Sequence, residues 1–257
     1  MRKILTERWR QGHRTFKWPD GPAPALDPRW RGAPIVDRAK CPPGCAACVE
    51  ACPTDAIALG GGRAVVDLGR CLFCTDCADA CPAGAVSYSR DWSLAARTRE
   101  ELSSDGVVVA KAKALDEASR RLFGRSLKLR QVSAGGCNAC EADTNVLGTI
   151  GWDLGRFGIQ FVASPRHADG ILVTGPVSGN MALALKKTWD AVPAPKLVIA
   201  VGACAISGGV FRDHPEVHHG AGDFVPVDLF IPGCPPHPLT TLDGFLRLLG
   251  RIESGAR

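Results

Sequence analysis

The sequence lacks the segments that would direct it out of the cell or into a membrane. Its first ten residues, MRKILTERWR, carry charges but neither the apolar core of a secretory signal nor a twin-arginine motif. The longest nearly uncharged apolar run, residues 197–211, is shorter than a membrane-spanning helix and is broken by glycines. We therefore expect a cytoplasmic protein with no membrane span of its own.

Tyrosine and methionine are also scarce, with one and two copies in 257 residues, but this scarcity indicates no class of function. The composition, 46% hydrophobic and 22% charged, is typical of a globular protein. The net charge of +5 is concentrated in residues 1–40, which hold ten Lys and Arg against four Asp and Glu. We interpret residues 1–40 as a basic, proline-rich arm that docks on a neighbouring subunit, and we predict no nucleic-acid partner.

Cysteine, by contrast, is abundant. Eight of the twelve cysteines lie between residues 41 and 81, and such clustering in a chain without a signal peptide indicates metal ligation rather than disulfides. The segment contains a repeat, because Cys-PPG-Cys-AA-Cys-VEA-Cys-Pro from residue 41 is followed by Cys-LF-Cys-TD-Cys-ADA-Cys-Pro from residue 71. Thiolates are soft ligands that suit iron–sulfur clusters. Paired CxxC motifs also bind zinc, which is the alternative for this segment.

The repeat resembles that of bacterial ferredoxins with two 4Fe–4S clusters, in which the fourth cysteine of each motif binds the other cluster. The resemblance implies an α+β ferredoxin domain over residues 41–90. It also implies two ligand sets, one of Cys41, Cys45, Cys48 and Cys81 and the other of Cys71, Cys74, Cys77 and Cys52. The first loop has three residues between its first two cysteines where the family usually has two, and we expect Gly44 to absorb the extra residue as a bulge.

Residues 91–125 contain no cysteine, and the composition of WSLAARTREEL and AKALDEASRRLFG predicts a helical linker. From residue 126 the pattern becomes α/β. Strands are predicted at 127–132, 159–163, 170–173 and 197–201, and helices at 141–150, 178–191 and 238–249. This alternation predicts a flavodoxin-like domain with a parallel sheet over residues 126–250, followed by a tail at 251–257.

Four further cysteines lie in glycine- or proline-rich loops of this second region, at Cys137, Cys140, Cys204 and Cys234. Because ligands bind at the carboxyl ends of parallel strands, we expect these cysteines to converge on one edge of the sheet as a single iron–sulfur site. The alternative is that they are buried apolar side chains, as free cysteines often are.

Residues 125–250 resemble the small, cluster-bearing subunit of energy-converting NiFe hydrogenases and formate hydrogenlyase, relatives of the 20 kDa subunit of complex I. The matching stretches include CNACE, VIAVGACAISGGVF and VPVDLFIPGCPPHP. The CxxC spacing of Cys137 and Cys140 is the hydrogenase form, whereas complex I subunits have two adjacent cysteines. Those relatives commonly have serine at Gly136, and we expect this difference to have little effect.

The resemblance implies a fusion of two neighbouring subunits that together bind three 4Fe–4S clusters. The chain would transfer electrons to or from a large NiFe-hydrogenase-like subunit, or a subunit like the 49 kDa subunit of complex I. Further electron-transfer and membrane subunits would hold it at the inner face of the cell membrane. The alternatives are a subunit of a complex I-like NADH- or ferredoxin:quinone oxidoreductase and a non-redox zinc-binding module.

Two titratable residues beside the cysteines of residues 137–234 have competing interpretations. Glu141 could carry protons, but we favour a charge that stabilises the first turn of a helix. His237 could couple proton and electron transfer or contact a quinone, but we favour a plain surface or interface histidine. We predict no catalytic residue on this chain.

Overall fold

The structure is a computed structural model and describes residues 2–61, 63–104 and 111–252. The α-helices are α1 (Arg2–Gln11), α2 (Ala47–Glu50), α3 (Asp76–Asp79), α4 (Glu117–Phe123), α5 (Ala139–Val146), α6 (Gly179–Ala191), α7 (Gly202–Ser207) and α8 (Pro238–Leu248). The strands are β1 (Pro34–Val36), β2 (Ile57–Gly60), β3 (Arg63–Asp67), β4 (Val86–Tyr88), β5 (Ser103–Ser104), β6 (Leu127–Ser133), β7 (Ile159–Phe161), β8 (Gly170–Thr174), β9 (Leu197–Val201) and β10 (Leu229–Ile231). Short 3-10 helices occur at Glu100–Leu102, Leu154–Phe157, Pro165–His167, Gly209–Phe211 and Ala221–Asp223.

The cysteine repeat folds as a ferredoxin-like unit of two small antiparallel sheets. In one sheet β1 pairs with β4, and in the other β3 lies between β2 and β5. The third cysteine of each repeat lies in a one-turn helix, Cys48 in α2 and Cys77 in α3. Strands from outside residues 41–90 complete both sheets, since β1 precedes the repeat and β5 follows it.

The second region is a five-stranded parallel sheet in the order β10-β9-β8-β6-β7. Counted from β6, this is the 2-1-3-4-5 order of flavodoxin-like folds, so the predicted fold class is confirmed. Side chains of β8 and β9 are buried on both faces, as expected for a sheet covered by helices on both sides. One face packs against α8 through Leu242 and Phe245, and the other packs against α6 through Leu185.

The ferredoxin-like unit and the parallel sheet share a hydrophobic core. Leu68 and Leu102 belong to the same buried cluster as Ala200 of β9 and Ala205 and Ile206 of α7. The hydroxyl of Ser207 also donates to the carbonyl oxygen of Gly69 at 2.9 Å. The relative position of the two regions is therefore fixed by packing as well as by the connecting chain.

The linker prediction is wrong for its first half. WSLAARTREEL contains only the 3-10 turn Glu100–Leu102, and its upstream part is extended, where Ala96 forms an antiparallel bridge with Phe230. Leu94, Ala95 and Ala96 are buried alternately in two different cores, so the packing of an extended segment outweighs its helical composition. The second half does contain a helix, α4, which begins where the Asp116 carboxylate accepts a hydrogen bond from Ser119 N at 3.0 Å.

The basic arm contains one helix that the sequence did not predict. No residue of α1 is buried, and Trp9 is 86% exposed. Beyond it, the arm lies along the second region, because Phe16 N donates to Gly151 O at 2.8 Å and Trp18 enters the core beneath α8. Among the residues described, no helix is long and apolar enough to cross a membrane.

Candidate metal centres

The two halves of the cysteine repeat make the same local contacts. The backbone amide of Ala56 donates to Cys52 Sγ at 3.2 Å, and the amide of Ala85 donates to Cys81 Sγ at the same distance. Each donor lies four residues after the cysteine of a Cys-Pro pair. Amide hydrogen bonds stabilise the thiolate form of a ligand sulfur, and accordingly they lower the pKa of Cys81.

The second predicted ligand set lines one small cavity. Cys52, Cys71, Cys74 and Cys77 surround it together with Tyr88. The fourth cysteine of the first repeat therefore lies beside the first three cysteines of the second, as the ferredoxin resemblance implies. Burial raises the pKa of the Cys71 thiol to about 12, even though Phe73 N donates to its sulfur at 3.3 Å. A bound metal ion would oppose this effect, because a positive charge favours the thiolate.

Contacts bring together only part of the other predicted ligand set, that of Cys41, Cys45, Cys48 and Cys81. Cys48 is buried, and burial raises its pKa first, with the thiols of Cys41, of Cys77 from the other set and of Cys45 adding to the effect. Gly44 adopts φ +78° in the loop between Cys41 and Cys45, which is the conformation expected of a glycine that absorbs an extra residue. Within the described part of the chain, no contact joins Cys81 to these three, so its assignment to this set stays a prediction.

The second region brings the other four cysteines to one edge of its sheet. Cys137 and Cys140 follow β6, Cys204 follows β9, and Cys234 follows β10. Burial raises the pKa of Cys140, and the thiols of Cys204, Cys234 and Cys137 are close enough to raise it further. Cys204 lies in the first turn of α7 rather than in the expected loop, and burial raises its pKa to about 11.

We call the site of Cys137, Cys140, Cys204 and Cys234 the terminal site. Two glycines make room for its sulfurs. A Cβ at Gly202 would lie 2.5 Å from Cys140 Sγ, and a Cβ at Gly209 would lie 2.6 Å from Cys204 Sγ. Both glycines have positive φ, +89° and +58°. Gly136 also lies close to another backbone segment, since a Cβ at this position would be 3.1 Å from Gly175 Cα. A serine at position 136 would need its neighbour to shift, so the expectation of little effect is not supported by the packing.

The chemistry of the donor sets, which are all thiols, suits iron–sulfur clusters. Among the described residues, no three His, Cys, Asp or Glu side chains converge closely enough to hold one metal ion. A 4Fe–4S cluster does not require such convergence, because each thiolate binds a different corner of the cube. At the site of Cys52, Cys71, Cys74 and Cys77, four thiols line one cavity and backbone amides donate to two of their sulfurs, which suits a cluster.

Glu141 is not a simple charge at a helix terminus. Its side chain is buried, and Oε1 accepts hydrogen bonds from Ser133 Oγ at 2.6 Å and Thr174 Oγ1 at 2.7 Å. Burial raises the pKa of Glu141, but the two hydroxyl donors outweigh it and the net pKa lies below the ordinary value. The carboxylate therefore ties the ends of β6 and β8 to the start of α5, beneath the Cys137–Cys140 loop.

His237 lies between two regions of the chain. It is half-buried at the start of α8, where Nδ1 accepts a hydrogen bond from Leu239 N at 3.1 Å. Its ring makes edge contacts with Trp30 of the arm and Trp152, each with a centroid distance of 6.1 Å. Burial lowers its pKa. His237 is therefore a half-buried residue packed within the chain, whereas the sequence favoured a plain surface or interface histidine.

A cleft of about 410 Å³ lies between the terminal site and the second ferredoxin-like site. Cys74 and Cys234 both line it, together with Trp30, Phe73 and His237. Cys234 is exposed at the rim of the cleft, yet partial desolvation first raises its pKa, followed by the thiols of Cys137 and Cys74. The two cysteine sites are therefore neighbours across this cleft.

Taken together, a ferredoxin-like unit and a flavodoxin-like unit with cysteines at one sheet edge define an electron-transfer subunit of an iron–sulfur oxidoreductase. Residues 40–85 match the family model of the 4Fe-4S dicluster domain. Residues 137–248 match the model described as NADH ubiquinone oxidoreductase, 20 Kd subunit. The chain belongs to this 20 kDa subunit family, with a 4Fe–4S dicluster region ahead of the family domain.

Relatives come from both hydrogenases and quinone oxidoreductases. Formate hydrogenlyase subunit 7 of Escherichia coli is 46% identical over 129 residues, which are 50% of this chain and 51% of that protein. "Probable membrane-bound hydrogenase subunit mbhJ" of Pyrococcus furiosus is 40% identical over 51% of this chain and 79% of that protein. An NADH-quinone oxidoreductase subunit of Desulfovibrio desulfuricans is 45% identical over 44% of this chain and 61% of that protein. The chain thus matches only about half the length of the Escherichia coli protein.

Proposed function

We propose that this chain relays electrons through three 4Fe–4S clusters to or from a large catalytic subunit of a hydrogenase- or formate hydrogenlyase-type complex. Its twelve cysteines supply three sets of four ligands, in the sets given above. A 4Fe–4S cluster supplies one-electron chemistry at a potential set by hydrogen bonds, burial and local charge. The chain itself holds the ligands, excludes solvent from Cys48, Cys71 and Cys77, and fixes the distances between sites.

The main support for this proposal is that Cys74 and Cys234 line the same cleft. It makes the site of Cys52, Cys71, Cys74 and Cys77 the neighbour of the terminal site. The site of Cys41, Cys45, Cys48 and Cys81 is then the outer end of the relay, facing an upstream subunit. The shared core of the two regions holds this order in one folded unit.

The exposed edge of the terminal site is the surface we assign to the large subunit. Cys137 and Cys234 are exposed, and Val210 and Phe211, which directly follow Gly209, are 53% and 46% exposed. Apolar side chains in solvent beside a redox site suit a protein interface. The partner would be a NiFe-hydrogenase-like subunit or one like the 49 kDa subunit of complex I, and further subunits would hold the chain peripherally at the cell membrane.

The spacing of Cys137 and Cys140 favours the hydrogenase branch over the quinone branch. A quinone-reducing complex is the second candidate, because a quinone oxidoreductase subunit is similar to this chain at nearly the same identity as the formate hydrogenlyase subunit. The large subunit encoded with this chain separates the two. Paired CxxC motifs near both ends of that subunit would provide nickel–iron ligands, and their absence would leave the quinone branch.

Metal analysis and one matched pair of variants test the relay. We expect about twelve iron and twelve acid-labile sulfide per chain from three cubes. Cys204→Ser should remove about four of each and abolish the terminal EPR signal, while the ferredoxin-like pair stays reducible. Cys71→Ser should remove the neighbouring cluster and leave the terminal signal. Zinc without sulfide would overturn the relay, and three intact clusters in Cys204→Ser would overturn the assignment of the terminal ligands.

A further inference from the structure

Tyr88, the only tyrosine of the chain, lies at the second ferredoxin-like site. It ends β4, and its hydroxyl oxygen is 3.4 Å from Cys77 Sγ and also donates to the carbonyl oxygen of Cys74. The ring is half-buried, and the guanidinium of Arg31 lies 6.0 Å from its centroid. Arg31 in turn donates from Nε to Phe73 O at 3.1 Å. The hydroxyl is therefore held against the loop that contains Cys74 and Cys77.

The equivalent position of the first repeat carries no hydroxyl. Cys52-Pro53 and Cys81-Pro82 are equivalent points of the two repeats, and Tyr88 lies seven residues after Cys81. The residue seven positions after Cys52 is Leu59, which is 43% exposed. The amide donors at Ala56 and Ala85 are the same in both repeats. Tyr88 thus breaks the symmetry of the two sites at one sulfur.

A cysteine that binds iron has lost its proton, so at such a site only the tyrosine can donate. Its single hydroxyl hydrogen lies between two acceptors, the Cys74 carbonyl oxygen and Cys77 Sγ, which belong to the same ligand loop. In either orientation the positive end of the O–H dipole points toward the loop that carries two ligands of one site, Cys74 and Cys77. Reduction adds one electron, and hence one negative charge, without making or breaking a bond. A donor dipole therefore favours the reduced state.

We propose that the Tyr88 hydroxyl, held against the loop of Cys74 and Cys77, raises the reduction potential of the cluster held by Cys52, Cys71, Cys74 and Cys77. This inference rests on the proposed function, because it needs a cluster at that site. Its consequence is that an electron on the ferredoxin-like pair is held preferentially at the site that shares a cleft with Cys234. The outer site, with Leu59 in the equivalent position, lacks this stabilisation.

The test is an EPR-monitored redox titration of the full chain as Tyr88→Phe, which keeps the ring and removes only the hydroxyl. We expect the equilibrium constant for reduction of one cluster to fall about tenfold, equivalent to about 59 mV for a one-electron couple. The other two clusters should titrate as in the wild type. In D₂O, ENDOR of the affected cluster should lose the coupling of one exchangeable deuteron.

Two further samples test whether the Tyr88 hydroxyl itself sets the potential. Ser87→Ala removes an exposed hydroxyl from the preceding residue of β4, whose side chain lies on the opposite face of the strand, and it should shift no potential. Because Tyr88 is the only tyrosine, 3-fluorotyrosine incorporated throughout the chain labels this site alone. Its hydroxyl is a stronger donor, so the same cluster should titrate at a higher potential. Iron and sulfide analysis of the wild type decides first whether the proposed function holds. If three clusters are present and both Tyr88 samples titrate like the wild type, the role assigned to Tyr88 is wrong.

Discussion

Gly202→Ala should remove the terminal cluster while leaving the ferredoxin-like pair in place. Gly202 begins α7 two residues before Cys204, and its backbone has φ +89°. A Cβ there would lie 2.5 Å from Cys140 Sγ. The substitution therefore places a methyl group against a predicted ligand that lies in a different helix, α5.

The expected cost has two parts. A non-glycine residue in a left-handed conformation costs about 1–2 kcal/mol. In addition, non-bonded heavy atoms pack at about 3.5–4 Å, so Cys140 Sγ must move by roughly 1 Å. A covalent ligand cannot move that far from its iron while the other three sulfurs stay in place. We therefore expect a fall of about 1–2 kcal/mol in the free energy of unfolding and the loss of about four of twelve iron atoms.

Urea unfolding, iron analysis and EPR of the reduced protein measure these effects, and two glycines provide controls. Gly222→Ala meets no atom within 4 Å and has no positive φ, so it should change neither stability nor iron content. Gly84→Ala has φ +56° and open surroundings, so it should lower stability without removing a cluster. If Gly202→Ala kept twelve iron atoms and all three EPR signals, Cys140 would not hold the position that we assign to it.

Two further predictions concern a buried ion pair on α8 and an arginine that holds the N-terminal arm. Asp243 and Arg247 form an ion pair of 2.9 Å one turn apart on α8, with side chains 1% and 2% exposed. Asp243→Ala should therefore cost about 3–5 kcal/mol in urea unfolding. The exposed pair Glu117–Arg121 has the same spacing, and Glu117→Ala should cost at most about 0.5 kcal/mol; equal losses would contradict the argument from burial. Arg90 donates to four carbonyl oxygens within residues 26–30, so Arg90→Ala should expose that part of the arm to limited proteolysis, whereas Arg29→Ala, which loses only an exposed local pair, should not. Equal cleavage of the two variants would show that Arg90 does not hold the arm.

The parallel sheet could be predicted because its strands carry a strong and local signal. Residues 170–173 and 197–201 are continuous apolar runs, and such runs are typical of strands buried on both faces. The convergence of Cys137, Cys204 and Cys234 follows from topology alone, since parallel strands end at one edge. β10 is only three residues long, and the sequence did not predict a strand at residues 229–231.

The features that the sequence did not predict depend on contacts between distant segments. Arguments from helical composition fail in the linker because Ala96 pairs with Phe230, which lies far along the chain. Glu141 meets Thr174 from another strand, and a helix-start acid has the same local sequence whether or not such a partner exists. Tyr88 could not be linked to Cys77 from spacing, because eleven residues and a change of element separate them. In each case the local pattern was compatible with two environments, and only packing distinguished them.

The shared core bears on what the fusion achieves. Two domains joined only by a flexible linker would have a high effective concentration, but their redox sites would sample many distances. Here Leu68 and Leu102 pack with Ala205 and Ile206, and Arg97 Nε donates to Asp228 O at 2.6 Å across the same boundary. Separating the ferredoxin-like unit from the sheet would expose these apolar side chains to water, which is unfavourable in proportion to their area. The two regions therefore behave as parts of one folded body, and the spacing of Cys74 and Cys234 across their cleft is a property of that core rather than of linker length.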